Sequence, residues 1–180
     1  MKKLFSAVIY DNPLPQLRSR QSAFPGVCVL SDGKILATHK IGEAFESVDG
    51  TTHVSVSLDG GKSFSAPRAA FDKSQFARPV SDNGKPALLP DGRVAILGYM
   101  FYRDDPTLPL GNPKTGGLLP DDVYISFSDD GGETFGKMNI IKTSFGNSTE
   151  ASAPLTVLSD GSIATPITGF GNWAFQRPLR

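Results

Sequence analysis

Ser57-Leu58-Asp59-Gly60-Gly61-Lys62-Ser63-Phe64 decides the fold, because it returns as Ser128-Asp129-Asp130-Gly131-Gly132-Glu133-Thr134-Phe135. Both copies read Ser-x-Asp-Gly-Gly-x-Ser/Thr-Phe, and Asp59 and Asp130 stand 71 residues apart. Each follows a strand-like run, Val54-Ser55-Val56 in the first copy and Val123-Tyr124-Ile125-Ser126-Phe127 in the second. The Asp side chain can accept from nearby backbone N–H groups, and the glycines tolerate φ > 0. A tight turn between strands is expected. The Ser/Thr hydroxyl is expected to bond across it, and the closing Phe to pack beneath it as a plug.

A second element precedes each octet. Val29-Leu30-Ser31-Asp32-Gly33-Lys34-Ile35-Leu36-Ala37 returns as Leu88-Leu89-Pro90-Asp91-Gly92-Arg93-Val94-Ala95-Ile96. A third copy is Val157-Leu158-Ser159-Asp160-Gly161-Ser162-Ile163-Ala164-Thr165. Each reads apolar strand, Asp-Gly hairpin, apolar strand. Repeats of this length with several strands each suggest propeller blades.

The octets resemble the Asp-box of the sialidase-like (BNR-repeat) β-propellers, Ser-x-Asp-x-Gly-x-Thr-Trp, with Phe64 and Phe135 in place of Trp and Ser63 in place of Thr. The resemblance covers about residues 20–170. It implies an all-β fold, part of a six-bladed sialidase-like propeller, in which about two and a half four-stranded blades are present. The whole of 1–180 is then one partial propeller domain, with blade 1 at about 20–70, blade 2 at about 80–142 and an incomplete blade 3 at about 150–180. Blade 1 divides into strands A to D at about 24–30, 34–40, 53–58 and 62–66. Blade 2 divides at about 85–89, 93–101, 122–128 and 133–141, and blade 3 offers A at 154–158 and B at 162–168. Segment 4–10 is a candidate D strand closing a ring, and Asp72-Lys73-Ser74-Gln75-Phe76 a candidate single turn of helix. Two and a half blades cannot close a ring, so a piece of a larger protein is expected. The rival is a homodimer in which two copies complete the propeller.

Composition narrows the function. Net charge is zero and 39% of residues are hydrophobic, an ordinary globular balance. It speaks against nucleic-acid or membrane-surface partners. Cys28 is the only cysteine, so no intrachain disulfide can form, and its apolar setting suggests a buried, inert thiol. Met1–Tyr10 begins like a signal peptide, but its apolar run is short and no small-x-small cleavage site follows. Cytoplasmic location is therefore only the default. Asn147-Ser148-Thr149 fits the glycosylation triplet and is read as plain loop.

Strand direction places both kinds of Asp turn on one face of the disc. Asp32, Asp59, Asp91, Asp130 and Asp160 are therefore read as turn formers. The opposite face carries the residues suited to an acidic sugar. Arginines hold carboxylates in a bidentate fork, a carboxylic acid can protonate a leaving oxygen, and sialidases use a Tyr nucleophile. The resemblance implies an Arg in an Arg-Ile-Pro motif, an Asp acid/base in the next B–C loop and a Glu in a later blade that activates the Tyr. Here Ala23-Phe24-Pro25 occupies the motif, so its arginine is absent. Asp49 is the best match for the acid/base, Glu46 the runner-up, and Glu150 the match for the Tyr-activating Glu. Arg20, Arg78, Tyr102, Arg103 and Trp173 are the candidate substrate-binding residues, the last by stacking on a sugar ring.

His39 and His53 without a third ligand make no metal site, Asp104, Asp105, Asp121 and Asp122 lack calcium-loop spacing, and no cofactor is implied. The expected activity is that of a sialidase-type glycoside hydrolase acting on terminal acidic sugars, incomplete or inactive in this chain alone. The alternative is a non-catalytic, carbohydrate-binding or scaffold propeller. A glycan or small acidic sugar is the expected partner.

Overall fold

A computed structural model describes residues 3–145 and 148–174. Asn147 of the glycosylation triplet and positions 175–180, assigned above to blade 3, lie outside the described residues. Two four-stranded antiparallel sheets dominate. The first runs β1 (Gln21–Val29), β2 (Ile35–Gly42), β3 (Thr51–Ser57) and β4 (Arg68–Ala69), in that spatial order. The second repeats it with β5 (Val80–Leu88), β6 (Val94–Tyr102), β7 (Asp121–Ser128) and β8 (Asn139–Ile141). Two small two-stranded sheets follow: β9 (Thr149–Glu150) pairs with β12 (Thr168–Gly169), and β10 (Thr156–Val157) with β11 (Ile163–Ala164). A single 3-10 turn, Lys73–Gln75, is capped by Asp72, as the sequence suggested.

The hairpins obey the turn chemistry. In the first octet Asp59 Oδ1 accepts from the Lys62 and Ser63 amides at 3.0 Å each, and Oδ2 accepts from the Ser63 hydroxyl at 2.6 Å. In the second, Asp130 accepts from the Thr134 amide and hydroxyl at 2.9 and 2.5 Å. Ser57 and Ser128 each bridge from the aspartate to the amide of the second glycine. The glycines hold φ between 71° and 88°. The closing Phe135 packs on the core, edge-on to Phe71 at 6.1 Å. These bonds keep the octet backbone out of the ladder. The fourth strands therefore begin later than the sequence suggested, at Arg68 and Asn139 instead of 62 and 133. Segment 4–10 is likewise not a strand.

The second sheet sits between two cores. β6 buries eight consecutive residues, Val94 to Phe101, because both its faces are covered. Val94, Ile96 and Met100 pack with Leu36, Val54 and Tyr124 in the core shared with the first sheet. Ala95, Leu97, Tyr99 and Phe101 pack with Val123, Ala151 and Leu155 on the other side. That is the period-2 alternation of a strand with no solvent face. Each Val, Leu, Ile, Phe or Met among them contributes about 1.5–3 kcal/mol on full burial.

The second octet is also a joint between sheets. A Cβ on Gly132 would lie 2.0 Å from Leu36 Cδ1, and Arg68 donates from Nη2 to the Gly132 carbonyl. Among the described residues no sheet packs on the first octet in that way. There a Cβ on the corresponding Gly61 would lie 3.3 Å from Ile35 Cδ1 and 4.0 Å from the Phe5 ring. The N-terminal segment thus crosses the outer face of the first sheet, with Tyr10 6.0 Å from His39.

Candidate functional site

The strand ends away from the octets gather the polar side chains. β1 enters through a bulge between Ala23 and Gly26, at which Phe24 takes φ 54°, the one non-glycine residue described with positive φ. A bulky residue in that region is strained. The Phe24 ring packs on Phe45, 5.0 Å away, and its centroid lies 5.9 Å from Lys40 Nζ. These residues line one side of a cavity of about 220 Å³. Its other walls are Glu46, Asn83, Tyr99, Phe101, Leu110, Leu118, Glu150 and Ser152.

Two carboxylates face this cavity. Glu46, in the loop after β2, accepts through Oε2 from the Leu110 amide at 2.9 Å, which pins it to the long β6–β7 connection. Glu150, in β9, is half-buried. Burial raises its pKa against the hydrogen bond from Ser152. Tyr99 is pushed up by burial and by the Glu150 charge, with Asn83 and Ser152 working the other way. Asp121 lies behind this wall, with Oδ1 accepting from the Thr149 amide at 2.7 Å. Burial first, then Glu150 and Asp122, raise it to about 7 against that bond.

Lys40 is 4% exposed. It follows Leu36 and Thr38 on the face of β2 turned to the second sheet, where Thr38 donates to the Gly84 carbonyl at 2.7 Å. Its amine donates to the Phe45 carbonyl at 3.1 Å. Burial lowers it to about 8, with Lys73 and Arg103 adding to the effect and Asp82 and Asp49 opposing it. Asp82, wholly buried, pairs with Lys73 at 3.0 Å and accepts from the Thr52 hydroxyl at 2.6 Å.

The other sequence candidates fall elsewhere. Asp49 pairs with Arg20 at 2.5 Å, on a separate cavity of about 720 Å³ between the N-terminal segment and the first sheet. Burial opposes its ionisation, but hydrogen bonds from Ser47 and the Glu43 amide, together with Arg20, hold its pKa below the usual range. Arg78 forms a two-pronged pair with Asp104 and lies over the Tyr102 ring, 4.1 Å from its centroid. Tyr102 donates to Asp122 at 2.5 Å, and burial together with Asp122 pushes it up to about 12. Arg103 is 2% exposed and donates from Nη2 to the Leu108 carbonyl. Trp173 packs beside the second core, its carbonyl accepting from Asn112 and Thr115.

The structure therefore brings Glu46 and Glu150 together and leaves Asp49 outside their cavity. Lys40, Asn83, Tyr99 and Phe24 were not singled out from the sequence. Lys40 left no signal in the sequence, because the second sheet packing on β2 is what buries it. Burial holds the Cys28 thiol up at about 11, and His39 down at about 4 with help from His53. Among the described residues no group of three or more His, Cys, Asp or Glu side chains is placed to hold a metal ion.

No family model matches the chain, and no curated protein matches it. Among solved structures, a protein of unknown function from Dyadobacter fermentans DSM 18053 aligns at TM-score 0.63 and 19% identity, over 90% of this chain and 49% of its own. The Hadza microbial sialidase Hz136 aligns at TM-score 0.60 and 19% identity, over 81% of this chain and 32% of its own. The chain thus spans about half the length of the first and a third of the second. At such identity the likeness is one of fold: successive antiparallel sheets, arranged as in part of a sialidase.

Proposed function

We propose that the chain is part of a sialidase-like β-propeller with Asp-box turns, and that it contributes to a glycoside hydrolase acting on terminal acidic sugars. The observation that carries the reading is the cavity that holds Glu46, Glu150 and Lys40 against an aromatic wall. Burial raises the Glu150 pKa, the direction that suits a carboxyl to proton exchange at a leaving oxygen. The solved sialidase with the same arrangement of sheets supports the assignment. In this reading Glu150 exchanges protons at the sugar, Glu46 anchors the long connection, and Phe24 and Phe45 flank the ring.

The test is turnover of a fluorogenic sialoside by a propeller completed around this chain, with a panel of other acidic glycosides alongside it. Activity that falls at least about a hundredfold in Glu150→Gln is the expected result. Activity unchanged in that variant refutes the role of Glu150. A second reading, a carbohydrate-binding propeller without turnover, is favoured by Asp49. Paired with Arg20 and held ionised, it has no proton to give at neutral pH. Glycan binding without hydrolysis of any substrate in the panel would decide for that reading.

A further inference from the structure

We infer that the cavity beneath the N-terminal segment is a second binding site, which takes a small neutral aromatic ring carrying a hydroxyl donor. It lies on the face of the first sheet turned away from the second sheet, apart from the sugar cavity, and it does not depend on the hydrolase reading. Its volume of about 720 Å³ is within the range of ligand pockets.

The repeat supplies the template. Phe64 and His53 line this cavity, and they stand 71 positions before Phe135 and Tyr124. At the second pair the corresponding space holds an aromatic ring. Phe71, which follows β4, lies edge-on to both, 5.5 Å from Tyr124 and 6.1 Å from Phe135. That is a favoured arrangement of aromatic rings. Among the described residues no ring packs on Phe64, and His53 meets only His39, at 6.4 Å. Tyr124 is wholly buried, whereas His53 and Phe64 are only part-buried. The same two positions of the repeat thus embrace a ring of the chain itself in one sheet and face a cavity in the other.

The outer wall is a formed one. Asn12 accepts from the Leu14 amide at 3.0 Å and donates to the Arg18 carbonyl at 2.6 Å, while the Arg18 amide donates to the Leu14 carbonyl at 2.9 Å. Ile9 and Leu14 from this segment join Ile41, Pro67 and Ala69 as the apolar lining. The polar groups then set charge and orientation. His53 Nδ1 lies 2.8 Å from the Thr51 carbonyl, which only accepts, so Nδ1 carries the ring proton. Burial first, then Lys73 and Arg20, lower the His53 pKa against the Thr51 carbonyl and Asp82. The ring is therefore neutral at neutral pH, and Nε2 is an acceptor with no hydrogen-bond partner among the described residues. Arg18 and Arg20 are balanced by Asp11 and Asp49 in the lining, and Arg20 and Asp49 pair with each other. A charged ligand gains nothing from such a wall, whereas a phenolic O–H matches His53.

The experiment titrates the full chain with 4-ethylphenol and with 4-ethylanisole, its methyl ether, and follows both by NMR. Shifts are expected at Phe64, His53 and the segment 9–14, with the His53 Nε2 signal moving while Nδ1 stays protonated. The phenol should bind about fivefold tighter than the ether. In His53→Phe the two should come within about twofold of each other. Ala69→Trp, which fills the cavity, should abolish binding of both. No shift at Phe64 and His53, equal affinities in the wild type, or binding that survives Ala69→Trp would each overturn the inference. So would a dimer, seen by light scattering, that the phenol dissociates, because the ring would then be a side chain of a second copy. If His53→Phe does not fold, the wild-type ratio and the His53 nitrogen signals decide it.

Discussion

Lys40 should make the stability of this protein rise with pH in alkaline solution, opposite to the usual expectation for a lysine that has gained a partner. Its amine is lowered from 10.5 to about 8, so between those values the unfolded chain binds a proton that the folded chain has released. Stability therefore increases with pH across that window. Below pH 8 both states are protonated, and the full cost of burying the charge is present. Each pKa unit is worth about 1.4 kcal/mol, so the gain from pH 8 to 10.5 is about 3 kcal/mol. Lys40→Met removes the titrating group and keeps an unbranched side chain in the same slot. The assay is urea unfolding of both proteins at steps from pH 7 to 10.5, read as the difference between the two curves. The Cys28 thiol, raised to about 11, acts in the opposite direction over part of this range, but both proteins carry it and it cancels. The variant should be the more stable at pH 7, and its advantage should vanish toward pH 10.5. A difference between the two proteins that is constant with pH would refute the reasoning, because Lys40 would then titrate as it does in water.

Two further outcomes follow from local geometry. Gly33→Ala, at φ 85° with open space around it, should cost about 1 kcal/mol of left-handed strain. Gly132→Ala adds a clash with Leu36 and should cost about 3 kcal/mol in total; equal urea midpoints for the two variants would contradict the joint between sheets. Asp121, raised to about 7, should appear as a carboxyl ¹³C titration near neutrality that is missing in Asp121→Asn. The stability it contributes is fully present below its ordinary value near 4 and lost as pH rises through 7, so the variant should lack that decline.

The sheets were legible in the sequence because their turns are chemical. Asp-Gly and Asp-Gly-Gly specify hairpins whatever surrounds them, and the repeats therefore marked β1 to β3 and β5 to β7. The start of β4 and β8 was not legible, because the bonds of Asp59 and Asp130 hold the octet out of the ladder. Segment 4–10 has strand composition but finds no ladder partner, and composition alone cannot supply one. At the site, Glu46 and Glu150 were found because carboxylates in loops invite attention. Lys40 was passed over because a lysine between apolar positions reads as a surface charge. Only the second sheet packing on β2 makes it a buried one. Asp49 and Glu46 stand three positions apart in one loop, and no local rule says which of them faces the cavity.

The contact between Gly132 and Leu36 changes what counts as a module here. The hairpin belongs to the second sheet, yet its fit is set by a side chain and a guanidinium, Leu36 and Arg68, that belong to the first. Duplicating or transplanting one sheet would copy half of each such joint and leave the other half behind. Coupling between neighbours of this kind makes stability a nearest-neighbour property. Chimaeras cut through the β4–β5 connection should therefore inherit mismatched joints even when each sheet is intact. Exchanges that carry Leu36 and Arg68 together with the following hairpin should preserve them.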